Sequence, residues 1–371
     1  MENFKILDYL YSLDISPIYL NVFGAYFVGL ILTLISIPKI IRISYKKQLM
    51  DVPGERSSHL SKIPTLGGVA LYFGIVVSTS IFATDLGVNY SFFLSAITIL
   101  FFIGLMDDLL VVAPDKKLYG QIISTILIIF GSGIMINSFS GLFGIYQIPY
   151  WVGVFLTLFV FIVLINAYNL IDGIDGLASG VGIVISLCFV YIFYRIFDYS
   201  IGILAVSTIA VLIGFVRYNL SDKFKIFMGD TGSMVIGFIL TFMAIRFLYV
   251  SENSNLGLKT GPVLLLFIFV IPILDTITVF TIRILQGKHP LKPDKNHLHH
   301  QVLKLGFNHI QTSIFLVLIN IIFVLVAYCF RNIEINKLFL IFVILSFSFV
   351  FSLRYIVKKK LKNKLKNKIL L

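Results

Sequence analysis

The 371 residues are 58% hydrophobic and only 13% charged, with a mean hydropathy of +0.98, a balance far from that of water-soluble domains. Lys and Arg number 30 against 18 Asp and Glu, a formal charge of +12. No soluble basic domain exists to carry that charge, so nucleic-acid binding is not implied and a polytopic membrane protein is indicated.

Met1 to Pro17 contains Glu2, Asp8 and Asp14 and has no basic segment leading to a small-residue cleavage site, so it does not read as a signal peptide. About eleven apolar runs of spanning length follow, at 19–41, 66–84, 91–106, 119–136, 150–168, 177–197, 201–217, 232–250, 262–283, 312–330 and 337–356. They predict an all-α bundle of transmembrane helices, because a helix satisfies its own backbone in lipid and no barrel-type alternation occurs. Cys188 and Cys329 lie inside apolar runs, where neither a disulfide nor a cysteine metal site is expected.

With the N-terminus outside, the connections after runs one, three, five, seven and nine become cytoplasmic, as does the C-terminal tail. These segments hold most of the Lys and Arg residues, which fixes that orientation. One membrane domain is expected over 1–356, followed by a basic cytoplasmic tail at 357–371. The lysines from Lys358 to Lys368 should lie against anionic membrane lipids.

Ionisable residues cluster where these runs end, and near a bilayer such groups mark a site by default. Asp107 and Asp108 are adjacent carboxylates that call for a shared cation, either a divalent metal or Lys116 and Lys117. Asn166, Asn169, Asp172 and Asp175 recur every third residue, so they share a pocket only if the helix breaks, and Gly173 and Gly176 supply a break. Asp230 stands between glycines just before an apolar run, as either a Mg2+ ligand or a helix cap.

Between Arg283 and Lys304, His297, His299 and His300 lie among lysines and two prolines. Their spacing lacks the His-x-x-x-His form of a helical zinc site and suits a phosphate-rich anion better. Lys62 with Pro64, Gly67 and Gly68 reads as a phosphate-facing nest or a plain turn, and Asp275 faces the site or pairs internally.

In order, these motifs resemble the polyprenyl-phosphate N-acetylhexosamine-1-phosphate transferases and, more distantly, phospho-N-acetylmuramoyl-pentapeptide transferase. The resemblance runs from Asp51-Val-Pro-Gly-Glu-Arg56 and Pro64-Thr-Leu-Gly-Gly68 through Gly104-Leu-Met-Asp-Asp108 and Lys117-Leu-Tyr-Gly-Gln121. It continues through Asn166 to Gly176 and Gly229-Asp-Thr-Gly-Ser233 to Pro293-Asp-Lys-Asn-His-Leu-His-His300. It implies transfer of a sugar-1-phosphate from a UDP-sugar, most readily UDP-N-acetylglucosamine, to undecaprenyl phosphate at the cytoplasmic side of the bacterial inner membrane.

By the same resemblance, Asn169 and Asp230 would hold Mg2+, with Mn2+ an alternative, while Asp107 or Asp108 would act on the lipid phosphate. Lys117 would contact phosphate, Asp172 and Asp175 would line the nucleoside end, and His297, His299 and His300 would grip the pyrophosphate. Lys62, Asn166, Asn219 and Arg283 complete the expected substrate contacts, and a homodimer is left open. Two departures stand out: Leu109 to Ala113 is more apolar than the family pattern, and Asn219 lies one residue further from Asp230.

Two other classes predict different patterns. A multi-pass transporter calls for polar groups near the membrane midplane, often with repeats. Enzymes that use CDP-linked alcohols call for an Arg where Ile171-Asp-Gly-Ile-Asp-Gly-Leu-Ala178 is followed by Ser179.

Overall fold

Long apolar runs in lipid have no water to bond their backbone, so they close it internally as helices. The computed structural model describes residues 17–50, 63–83, 87–110, 112–253, 260–287 and 296–369. Lys62 and the loop segment 288–295 lie outside them. The helices are α1 (Pro17–Lys47), α2 (Gly67–Phe82), α3 (Gly87–Leu110), α4 (Pro114–Ile126), α5 (Tyr150–Ile171), α6 (Leu177–Arg195) and α7 (Tyr199–Asn219). They continue as α8 (Gly229–Asn253), α9 (Gly261–Ile268), α10 (Val270–Leu285), α11 (Leu298–Lys304), α12 (His309–Cys329) and α13 (Ile335–Ile369).

Each apolar run is helical in whole or in large part. By length and composition, however, eight of the described helices can cross a membrane, or nine if the bent pair α9 and α10 counts as one span. The expected count of about eleven is not met on those terms. The second run yields a helix of only 16 residues. The fourth run becomes α4, a π-helical turn at Leu127–Gly131, and then non-helical chain.

The α8 helix, like α7, is enclosed over most of its length. Val235, Ile236, Phe238, Ile239 and Leu240 are fully buried, packed among α2, α3 and α5. That approach depends on glycine. A Cβ on Gly68 would overlap the backbone of Gly232, and one on Gly104 would lie 2.6 Å from the Thr231 Cα. In lipid, helices gain little from hiding apolar surface from one another, so backbone contact through small residues is what binds them.

Peripheral helices instead leave large apolar groups outward, among them Phe155, Phe347 and Phe351, as lipid contact requires. Several hydroxyls within helices return to their own backbone, as with Thr33 to the Gly29 carbonyl and Thr157 to the Gly153 carbonyl.

Two features interrupt the helical pattern. A small antiparallel hairpin, β1 (Ser138–Leu142) and β2 (Ile145–Gln147), precedes α5, and the Phe143 amide donates to Asn336 Oδ1 at the start of α13 (2.8 Å). Between α9 and α10 the axis turns by 77°. Pro272 has no N–H for the carbonyl one helical turn back, that of Ile268. The buried Asn320 on α12 supplies a donor in its place (3.1 Å).

Candidate active site

One end of the bundle gathers the C-termini of α3 and α5 and the N-termini of α4 and α8. Asp107 and Asp108 sit side by side on α3 but do different things. Asp108 faces the start of α8: its Oδ1 accepts the Asp230 N–H (2.8 Å), and its Oδ2 accepts the Thr231 N–H (3.0 Å) and the Thr231 hydroxyl. An anion at a helix N-terminus satisfies otherwise orphaned amides and the helix dipole, so Asp108 is the cap of α8 supplied from another helix. Gly229, at φ +69°, makes the turn into α8 with Asp108 where a side chain would otherwise be.

The Phe227 and Met228 carbonyls just before it accept the Gly67 and Gly68 amides (3.0 and 2.9 Å). That part of the Pro64 to Gly68 motif therefore braces the turn as backbone.

Asp107 faces the other way. Its Oδ2 pairs with Lys117 Nζ at 2.7 Å, and Lys117 also bridges to Asp230 Oδ2. Burial favours a neutral lysine, but the Asp230 charge and the bonds to both carboxylates outweigh it and hold Lys117 above its ordinary pKa. The remaining oxygen of Asp230 accepts from Asn169 Nδ2 (3.1 Å), which also reaches Ser233 Oγ (2.7 Å). Asn166, one turn earlier on α5, is paired with Gln121 of α4 (2.8 Å). Five polar groups from four helices are thus fixed together.

Carboxylate oxygens of Asp107, Asp108 and Asp230 all lie within 4.8 Å of one another, a group that could hold a metal ion. All-oxygen donors suit a hard divalent cation. Asp108 gives both oxygens to the first turn of α8, whereas one oxygen each of Asp107 and Asp230 is held by the Lys117 ammonium, a cation in the place a metal ion would take, so these two, with Asn169 beside them, are the better-placed donors. The Lys117 ammonium already lies between these two carboxylates, so their geometry accommodates positive charge.

The turn after α5 divides the remaining aspartates. Asp172 has no side-chain hydrogen bond or ion pair among the described residues. Burial, then the nearby charges of Asp230, Asp108 and Asp175, push its carboxyl well above the ordinary range. Asp175 points elsewhere, to Lys225 Nζ at 2.6 Å and His309 Nδ1 at 3.5 Å. Burial pushes its carboxyl up, but His309 and Lys225 outweigh that and leave it below the usual value. Asn219 is buried with both polar ends on backbone, accepting from the Gly176 amide (2.7 Å) and donating to the Ile226 carbonyl (3.0 Å). It ties the Asp-rich turn to the approach to α8.

The histidines join from α11. Asp275, buried on α10, holds His297 Nδ1 at 2.6 Å and accepts the Leu298 amide, which anchors the start of α11. The three imidazoles cluster closely: His297 stacks on His299 at 5.5 Å between centroids, and His300 is tilted against His299 at 4.3 Å. His299 Nε2 lies 2.9 Å from where a Gly173 Cβ would be, so this cluster abuts the Asp172 turn. Burial pushes His299 down to about 3, which makes it a neutral hydrogen-bonding ring at pH 7 and not the cation that a grip on phosphate suggested. Arg283, in the last turn of α10, is buried.

Lys225 and His309 were not singled out by sequence, since their partner Asp175 is remote in the chain, and Thr231 and Ser233 were marked only by their place in the Gly229-Asp-Thr-Gly-Ser233 motif. The signal for Gln121 was its place in the Lys117-Leu-Tyr-Gly-Gln121 motif.

Bilayer-length helices that end in one constellation of carboxylates, amides, lysine and histidines define a class: a multi-pass membrane transferase. Residues 90–248 match the family model of glycosyl transferase family 4. The chain belongs to glycosyl transferase family 4. A Bacillus subtilis (strain 168) protein named a probable undecaprenyl-phosphate N-acetylglucosaminyl 1-phosphate transferase is 31% identical over 332 residues, 87% of this chain and 89% of the relative. An undecaprenyl-phosphate alpha-N-acetylglucosaminyl 1-phosphate transferase of Haemophilus influenzae is 29% identical over 314 residues, 83% and 87% of the two chains. Another so named, from Escherichia coli (strain K12), is 27% identical over 285 residues, 75% of each chain.

Proposed function

We propose that the protein transfers a HexNAc-1-phosphate, in the first instance GlcNAc-1-phosphate, from a UDP-sugar to undecaprenyl phosphate. The products are undecaprenyl-pyrophosphoryl-HexNAc and UMP. The observation that carries the reading is Lys117 held between Asp107 and Asp230, with Asn169 on the far oxygen of Asp230. Phosphoryl transfer needs charge neutralisation and in-line placement more than covalent chemistry, and this constellation suits both.

An oxygen of the lipid phosphate attacks the sugar-bearing phosphorus. The bond from that phosphorus to the bridging oxygen breaks, and UMP leaves with the oxygen. Lys117 offsets charge on the phosphates, and Asp107 orients the incoming lipid phosphate, which is already largely ionised at pH 7. Mg2+, or Mn2+ in its place, held by Asp107, Asp230 and Asn169, would supply charge to the pyrophosphate oxygens. Asp172 and the neutral His299 line the donor side as hydrogen-bonding groups, with His297 and His300 beside them. Asn166, Asn219, Asp175 and Arg283 support that surface, and Asp108 holds α8 in place.

The excess of Lys and Arg on the loops that bear these groups supports a cytoplasmic site on a bacterial inner-membrane enzyme, opening cell-envelope glycan synthesis. Membranes containing the protein should release UMP and form lipid-linked sugar when given polyprenyl phosphate, Mg2+ and a panel of UDP-sugars, and chelation should stop this. No product with any donor would refute the reading. Full turnover by Asp230→Ala would remove its metal role alone.

A further inference from the structure

The C-terminal helix is longer than a bilayer needs. At 35 residues α13 extends about 52 Å, while a hydrocarbon core is about 30 Å thick, so its last several turns stand outside the lipid tails. It does not end as a loose tail: the helix runs unbroken through residues 356 and 357, with Leu353 and Val357 buried in the same apolar cluster as Leu298 and Val302 of α11. One turn on, Lys360 Nζ donates to the carbonyl of Leu305, the residue that closes α11. A cation on the last carbonyls of a helix satisfies them and complements the dipole. α11 has seven residues, about 10 Å, with the histidines at one end and the Lys360 clasp at the other.

The opposite side of this stretch of α13 is open. Tyr355, Ile356 and Leu361 are exposed apolar groups interleaved with exposed Lys358, Lys359 and Lys362. No acidic residue follows Glu334, and Lys364, Lys366 and Lys368 continue the run in sequence. A cationic helical surface with aromatic and aliphatic groups among its lysines, set where a span leaves the hydrocarbon, complements negatively charged headgroups.

We infer that this face of α13 is a docking surface for anionic membrane lipid, and that headgroup binding there steadies α11 and its histidines through Lys360. The lipid contact stands independently of the chemistry, whereas its effect on turnover rests on the transferase reading above. Lipid bound to the outer lysines lowers the motion of the exposed end of α13. The clasp passes that order to a short helix held at its start by the Asp275 contact and along its length by the buried Leu298 and Val302.

The full chain should be reconstituted in phosphatidylcholine vesicles with and without phosphatidylglycerol. Two readouts need no activity: acylation of individual lysines and amide hydrogen exchange. Acylation of Lys358, Lys359 and Lys362 should fall roughly fivefold each with phosphatidylglycerol, the factor that corresponds to about 1 kcal/mol per lysine. Exchange across 298–304 should slow in the same vesicles. Lys360→Gln should abolish that slowing while leaving the acylation change intact, and Lys360→Arg should restore it. Equal acylation in both vesicles would overturn the lipid surface, and slowing that persists in Lys360→Gln would overturn the coupling. With both effects present, turnover that ignores phosphatidylglycerol would overturn the link to catalysis, and absence of any turnover would refute the transferase reading instead.

Discussion

Adjacent aspartates on α3 offer a direct test, because geometry assigns them opposite work. Asp108 accepts three hydrogen bonds from the first turn of α8, two from backbone amides and one from the Thr231 hydroxyl. In Asp108→Asn the single remaining acceptor cannot serve all three donors, and the new NH2 group faces N–H groups. Bonds to a charged acceptor are worth about 1.5–3 kcal/mol and an anion at a helix N-terminus about 0.3–2 kcal/mol, so the exchange should cost about 2–4 kcal/mol.

Asp107→Asn removes one partner of a partly exposed ion pair and leaves Lys117 on Asp230, so its stability cost should stay below about 1 kcal/mol. Its turnover should nonetheless drop by about 100-fold or more, since the group that orients the acceptor phosphate is gone. Thermal unfolding of purified protein in detergent, beside UMP release, separates the two. The reasoning fails if Asp107→Asn destabilises as much as Asp108→Asn, or if Asp108→Asn melts like wild type.

Three further outcomes follow from packing and charge. His299 is neutral in the fold because burial pushes it down to about 3. The unfolded chain therefore takes up a proton first as pH falls below about 6.5, and stability declines by up to about 1.4 kcal/mol per pH unit. His299→Gln should flatten this part of a melting-temperature profile, and an unchanged slope would contradict the assignment. Lys225→Met removes a group that helps hold Asp175 below its usual pKa. A depressed carboxyl stabilises above its unfolded value of about 3.9 and ceases to as pH falls through the folded one, so the acid-unfolding midpoint should move to higher pH; no movement would count against the ion pair. Gly68→Ala forces a methyl into the Gly232 backbone and should cost about 1–3 kcal/mol, visible as a lower melting temperature in detergent.

The membrane class and the gathering of the candidate residues at helix ends were readable in the chain because bilayer thickness dictates helix length and because charged residues collect where helices end. Convergence of the Asp107, Asn169 and Asp230 segments followed from alternation of the spans, and side-chain contacts join all three. The division of labour between Asp107 and Asp108 was not readable. Consecutive residues on a helix point about 100° apart, and only the neighbouring α8 decides which of them caps its first turn.

The same holds for Asp175, assigned by its motif to the nucleoside end yet bound to Lys225, 50 residues away, and to His309. The hairpin at 138–147 escaped notice because it falls in the short connection between the runs 119–136 and 150–168, where its turn is made by Gly141 and Gly144 at positive φ and its strands are only five and three residues long. Eight residues of the histidine loop, 288–295, and Lys62 lie outside the described structure, so their proposed contacts with substrate rest on sequence.

The elbow at Phe269 changes how depth is counted along this chain. Neither arm, at 8 and 16 residues, reaches across a bilayer alone, being about 12 and 24 Å long. A hydropathy trace sets Asp275 near the centre of one straight crossing, the costliest level for a carboxylate. The bend redirects the second arm, and Asp275 meets His297 beside the end of the bundle where the polar groups gather. A linear count of residues from one terminus therefore does not carry membrane depth across this bend, and depth probes placed along 270–285 should report a shallower path than that count gives.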